Sequence, residues 1–241
     1  MFPKAPKTFL ASGAIVLSVM ANSATATPIS LVYNGPSVTN GLQGVHIATA
    51  PVPVAGSGNV GAWGFDMTDT IGPLGDFLAW CLDIGSFLST SPIDAKSYTI
   101  ASDPFTNSYG LNAVEEARVQ SVFDANFGTL DVKNGVQAAG FQVALWNALY
   151  DHDSASDNGA FAISKNAAVI TQANDYLKAA AEYGGNKAYR LTFLESASNS
   201  ANQSAHQNLV TVSAVPLPAA GLMLLVALGG LGAAARRRKP A

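Results

Sequence analysis

Between residues 136 and 150 the apolar side chains Ala138, Phe141, Leu145, Trp146 and Leu149 recur at steps of three and four, the period of one helix face. Gln142 falls at or beside that stripe, so a primary amide is set into a face that the helix should bury. An unpaired buried amide costs about 1–3 kcal/mol. Either the core supplies its partners or the amide has chemistry to do, and both readings stand at this point. Two further helices follow. Asn112 with Glu115 has capping-box spacing and opens a helix running to about residue 127, before Gly128. Residues 167–183 form another, stopped by Gly184 and Gly185.

The strands lie mainly ahead of these helices. Residues 29–33 form a short apolar strand that turns at Asn34-Gly35-Pro36. Residues 38–62, rich in Gly, Val, Thr and Pro, read as short strands and loops, with Pro51 and Pro53 confining any strand there to a sheet edge. Residues 63–67 alternate like a half-buried strand. Residues 77–84 are almost continuously apolar, which suits a strand covered on both faces, with Cys81 near its centre. Short strands are expected at 97–101, 161–163, 189–194 and 209–215, with a polar loop at 199–207. No internal repeat is visible. The expected fold class is α+β: a strand-rich first half with helices clustered in the middle.

Both ends read as signals. Lys4 and Lys7 precede an apolar run from 9 to 21, and Ala24-Thr25-Ala26 supplies a small-x-small exit, which together predict a secretory signal peptide cleaved after Ala26. At the other end an apolar segment at 219–235, of the minimum length for a spanning helix, is closed by Arg236, Arg237, Arg238 and Lys239. That basic stop predicts a transmembrane helix with a cytoplasmic C-terminus. Together with Val215, Pro216, Leu217, Pro218 and Ala219, the segment resembles the C-terminal sorting signals of the PEP-CTERM type, in the variant beginning Val-Pro-Leu-Pro-Ala. The resemblance implies processing by an exosortase-type transpeptidase and delivery to the cell surface or extracellular matrix. The expected organisation is a signal peptide at 1–26, an extracellular domain at 27–214 and a sorting signal at 215–241.

Charge narrows the function classes. The chain holds 13 Lys and Arg against 16 Asp and Glu. Six of the basic residues (Lys4, Lys7, Arg236, Arg237, Arg238, Lys239) sit in the terminal signals, leaving 7 in the body. No basic patch of the kind nucleic acids demand remains, so nucleic acid is excluded as a partner. Cys81 is the sole cysteine, which rules out an intramolecular disulfide and any cysteine-rich metal site.

Cys81 and Gln142 form the sharpest chemical candidate. A thiolate beside a glutamine carboxamide can attack its carbonyl carbon and expel ammonia, leaving an internal thioester. The step needs an activated thiol, donors for the tetrahedral oxyanion and apolar walls against hydrolysis. Ala79, Trp80 and Leu82 flank the thiol; Phe141, Leu145 and Trp146 flank the amide. Trp80-Cys81-Leu82, followed about sixty residues later by Phe141-Gln142-Val143-Ala144-Leu145-Trp146, resembles the thioester domains of bacterial surface adhesins. The resemblance spans residues 77–151 and implies a Cys81–Gln142 thioester with Trp80, Phe141 and Trp146 as its supporting pocket. It further implies covalent capture of an amine on a surface or matrix partner: a single-use cross-linker, with no catalytic residues, cofactor or turnover. The alternative is a non-reactive structural matrix protein in which Cys81 is a buried thiol.

Other clusters carry less. Asp151-His152-Asp153 with Asp157 lacks the glycine and the bidentate glutamate of a calcium loop and reads as a solvated helix exit, without metal. His46, His152 and His206 are dispersed, and no hydrolase nucleophile motif or phosphate loop is present. Glu115 and Glu116 fall in a first helical turn, where negative charge is favourable.

Overall fold

A computed structural model of the chain describes residues 27–90, 94–101, 105, 111–151, 153, 155, 159–198 and 205–215. The element order is β1 (Thr27–Pro36), β2 (Gly44–Thr49), β3 (Asn59–Gly61), β4 (Phe65–Asp69), β5 (Asp76–Cys81), β6 (Lys96–Ala101), α1 (Ala113–Asn126), α2 (Gly135–Tyr150), β7 (Ala162–Ser164), α3 (Ala167–Glu182), β8 (Tyr189–Ser196) and β9 (Leu209–Ala214). The expected helices and most expected strands are present within a few residues. The signal peptide expected at 1–26 and the transmembrane helix expected at 219–235 lie outside the described residues. Among the described residues no helix is long and apolar enough to cross a membrane.

Six strands close into an antiparallel barrel in the order β1-β4-β5-β9-β8-β6, with β6 returning to β1. Closure leaves no open sheet edge in this layer. Pairing runs from Leu31 opposite Asp69 in β1/β4 to Leu194 opposite Leu209 in β8/β9. A separate three-stranded sheet, β3-β2-β7, extends the fold beside it. Asp69 fixes the β4–β5 turn, its carboxylate accepting from Gly72 N at 2.8 Å, Leu74 N at 3.2 Å and Ile71 N at 3.3 Å.

Three helices pack against this framework, each opened by an asparagine. Asn112 and Glu115 form the expected capping box. Asn134 accepts from Val136 N and Gln137 N, and Asn166, at φ +64°, accepts from Val169 N. The helix α2 packs against α1, α3 and β5, and every residue from Ala138 to Tyr150 is buried. This corrects the one-sided stripe expected from its periodicity: a helix enclosed on all sides is apolar all round. Gly140 makes the α2–α3 approach close, because a β-carbon there would come within 3.1 Å of Ala173 N. The helices are tied to the barrel through Asp124, whose Oδ1 accepts from Ala188 N and Tyr189 N, each at 3.0 Å.

Candidate functional site

The strand β5 was expected to continue to residue 84, but its ladder ends at Cys81. Its pairing with β4 stops earlier still, at Phe65 opposite Ala79, while β9 continues on the other side with Cys81 opposite Leu209. The peptide groups of Cys81 on the β4 side therefore lack a strand partner, and a buried backbone must find one elsewhere. Gln142 supplies it. Its Oε1 accepts from Cys81 N at 2.9 Å and its Nε2 donates to Cys81 O at 2.8 Å. The carboxamide takes the place of a neighbouring strand and locks α2 to β5.

This geometry brings together the two residues singled out from the sequence, 61 positions apart. Since the amide is held on both peptide groups of Cys81, its carbonyl carbon lies beside the residue carrying the thiol. The N–H of Cys81 already polarises the carbonyl oxygen on which negative charge would develop. The sulfur donates to Asp83 O at 3.1 Å and accepts from Asp83 N at 3.3 Å. The sulfur is thus held by the Asp83 backbone, and attack on Gln142 would have to release those two contacts.

Burial is nearly complete, with Cys81 at 1% exposure and Gln142 at 0%. Burial pushes the Cys81 thiol up to about 12, and the Asp83 carboxylate adds to the rise. The Asp83 backbone and the Trp146 indole act in the opposite direction. The indole N–H makes no standard hydrogen bond among the described residues, so we assign Trp146 an electrostatic contact with the sulfur rather than a hydrogen bond. Tyr98 is raised as well, first by burial and then by Cys81 and Asp83; its hydroxyl donates to Gln207 O at 2.9 Å.

Trp80, Phe141 and Trp146, expected to line the pair, are all buried. Phe141 sits at the centre of an aromatic cluster, with ring centroids 4.8 Å from Trp80, 5.2 Å from Phe123 and 5.9 Å from both Phe127 and Tyr176. Trp146 turns to the other side, 6.5 Å from Phe161. These rings exclude water from the pair.

No protein-family model matches the chain, and no curated protein matches its sequence. Among solved structures it is similar to the N-terminal domain of the Streptococcus pyogenes pilus tip adhesin Cpa, at 13% identity and a TM-score of 0.43, over 80% of this chain and 97% of that one. It is also similar to the Bacillus anthracis TIE protein, at 9% identity and a TM-score of 0.37, over 77% of this chain and 39% of that one. Likeness at this level leaves the functional reading to the geometry of the pair itself.

The remaining candidates separate. Asp151 is not the solvated group expected: it is 7% exposed and its Oδ2 accepts from Phe161 N at 2.9 Å, tying the end of α2 to the approach of β7. His152 and Asp157 lie outside the described residues. His46 faces Asn59 on the β2–β3 hairpin, and His206 sits in the bend leading into β9, its pKa lowered by burial and by Lys96. Among the described residues no group of three His, Cys, Asp or Glu could hold a metal ion. Val215 is described, its N–H donating to Ala188 O at 2.9 Å; the rest of the sorting motif and the basic stop lie outside. Sequence reasoning missed Asp83, whose only signal is its position two residues after the cysteine, and Asn147, considered below.

Proposed function

We propose that the chain is an exported surface or matrix protein that attaches covalently to amines through an internal Cys81–Gln142 thioester. The observation that carries the reading is the seating of the Gln142 carboxamide on the N–H and C=O of Cys81 in a closed apolar site. In the forming step the Cys81 sulfur bonds to the Gln142 acyl carbon, the carbon–nitrogen bond breaks, and ammonia leaves carrying the thiol proton. In the capture step a partner amine attacks the same carbon, an amide forms, and Cys81 regains its proton as a thiol. Each molecule reacts once. Export and exosortase sorting rest on the terminal sequences, and they place the site where partner amines are met.

A second reading has its own support. Both polar atoms of the amide are already paired and the thiol is held strongly protonated, as suits a structural lock between β5 and α2. The intact mass of the purified protein separates the two. A species lighter by one ammonia, which then gains one methylamine, supports the thioester. An unmodified mass, with Cys81 alkylated only after denaturation, leaves the structural lock.

A further inference from the structure

On the far side of α2 from Gln142, the helices α1 and α3 part over a cleft of about 550 Å³. Its floor holds Asn147, which is 0% exposed, and neither its Oδ1 nor its Nδ2 has a hydrogen-bond partner among the described residues. A wholly buried amide with neither atom paired is costly and rare in a native fold. The groups around it are mixed in sign. Arg118 from α1 lines the cleft and donates through Nε to Ala148 O at 2.7 Å. Lys178 lines the cleft from α3, and Asp153 lines it with an enclosed, unpaired Oδ1. Val122, Leu177 and the ring of Tyr183 supply apolar wall.

We propose that this cleft is a binding site for a neutral polyhydroxylated ligand, a saccharide unit, with Asn147 as its anchor. The deepest group decides the class. Asn147 offers an acceptor and a donor side by side, so the ligand group that meets it must both donate and accept. A carboxylate cannot donate and an ammonium cannot accept. Adjacent hydroxyls do both. The rim agrees, because the Asp153 oxygen opposes a simple anion and Arg118 with Lys178 oppose a simple cation. The Tyr183 ring and the aliphatic wall suit the C–H face of a sugar. The cleft lies within the volume range of small-ligand pockets. The site is independent of the Cys81–Gln142 chemistry.

Saturation-transfer NMR on the full chain, with glucose, galactose, mannose and N-acetylglucosamine each up to about 50 mM, tests the assignment. At least one sugar should receive saturation, with Asn147→Leu weakening the effect by about tenfold or more. The apolar replacement removes the unpaired amide, so the variant should fold with unchanged or higher thermal stability. The exposed Lys178→Ala variant, which leaves the helix packing intact, should weaken the same sugar a few-fold and guards against a folding defect in the first. Transfer to none of the four sugars, or equal transfer to wild type and both variants, overturns the proposal and leaves ordered water as the occupant. Glutamate, tested alongside, overturns it in favour of a zwitterionic ligand if it alone gives a signal that Asn147→Leu removes.

Discussion

Gln142 satisfies two buried backbone groups that no strand reaches, so its removal should be felt as a backbone effect. Replacing it with methionine keeps the volume and deletes both hydrogen bonds. Leaving the N–H and C=O of Cys81 unpaired should lower stability by about 2–6 kcal/mol, summing about 1–3 kcal/mol for each group. Urea unfolding with an unchanged m-value is the measurement; a loss below about 1 kcal/mol would mean the amide is not a structural partner. Cys81 adds a pH dependence in the unbonded form. Its thiol is raised in the folded state, from an ordinary value of 9.0 to about 12. The protonated thiol therefore contributes stability that is fully present below pH 9 and lost as pH rises toward 12. The raised Tyr98 and Tyr176 act in the same direction, their contribution being lost only as pH rises above 10. Cys81→Ala should accordingly make thermal stability fall less steeply above pH 9 than in wild type. Asp69 behaves in the opposite sense. Burial alone would raise its carboxyl, but the N–H groups of Gly72, Leu74, Ile71 and Ser30 together bring it below the usual value. It contributes stability above about pH 4 that disappears on acidification, and Asp69→Asn should flatten the acid limb of the same profile.

Among the elements, α2 carries the organisation, and its Phe141 ring joins β5, α1 and α3 in one cluster. Phe141→Ala should cost about 3–5 kcal/mol, the range for emptying an aromatic site in a rigid core. Near-UV circular dichroism should weaken with it, since Trp80 and Tyr176 lose their neighbour. Much of this level was legible in the sequence. The 3–4 periodicity located α2, the Asn112/Glu115 spacing located the start of α1 with a cap that the structure bears out, and Gly184-Gly185 marked the end of α3. What misled was the meaning of the stripe in α2. A ring of small residues, Ala138, Ala139, Gly140, Ala144 and Ala148, lets neighbours approach on every side, so apolar and small positions together, not the large ones alone, mark the buried surface. Barrel closure was not legible either. Pairing of β1 with β6, and of β5 with β9 more than a hundred residues away, depends on contacts that local alternation does not encode. The Cys81–Gln142 proximity became an expectation through resemblance, while Asn147 gave no signal because an asparagine late in a helix looks like any polar position.

At the scale of the whole molecule, the pair is sealed between two layers. The barrel presents Cys81 from below, the helices cover it from above, and an amine reaches it only when the layers part. Local opening of this kind occurs with free energies below that of global unfolding. One strap between the layers is Asp124, whose one oxygen receives the backbone N–H groups of Ala188 and Tyr189 and also the Gln120 amide, at 2.9 Å. Asp124→Ala leaves those donors unpaired and should loosen α1 from β8 without touching Cys81 or Gln142. If the thioester forms and opening limits its capture of amines, methylamine incorporation should accelerate by about tenfold for each 1.4 kcal/mol by which opening becomes easier. Intact-mass kinetics below the unfolding midpoint would show this, and modest urea should accelerate wild type in the same direction. An identical rate in Asp124→Ala, despite measurably faster hydrogen exchange at residues 188 and 189, would place the route to Cys81 elsewhere than the seam between α1 and the barrel.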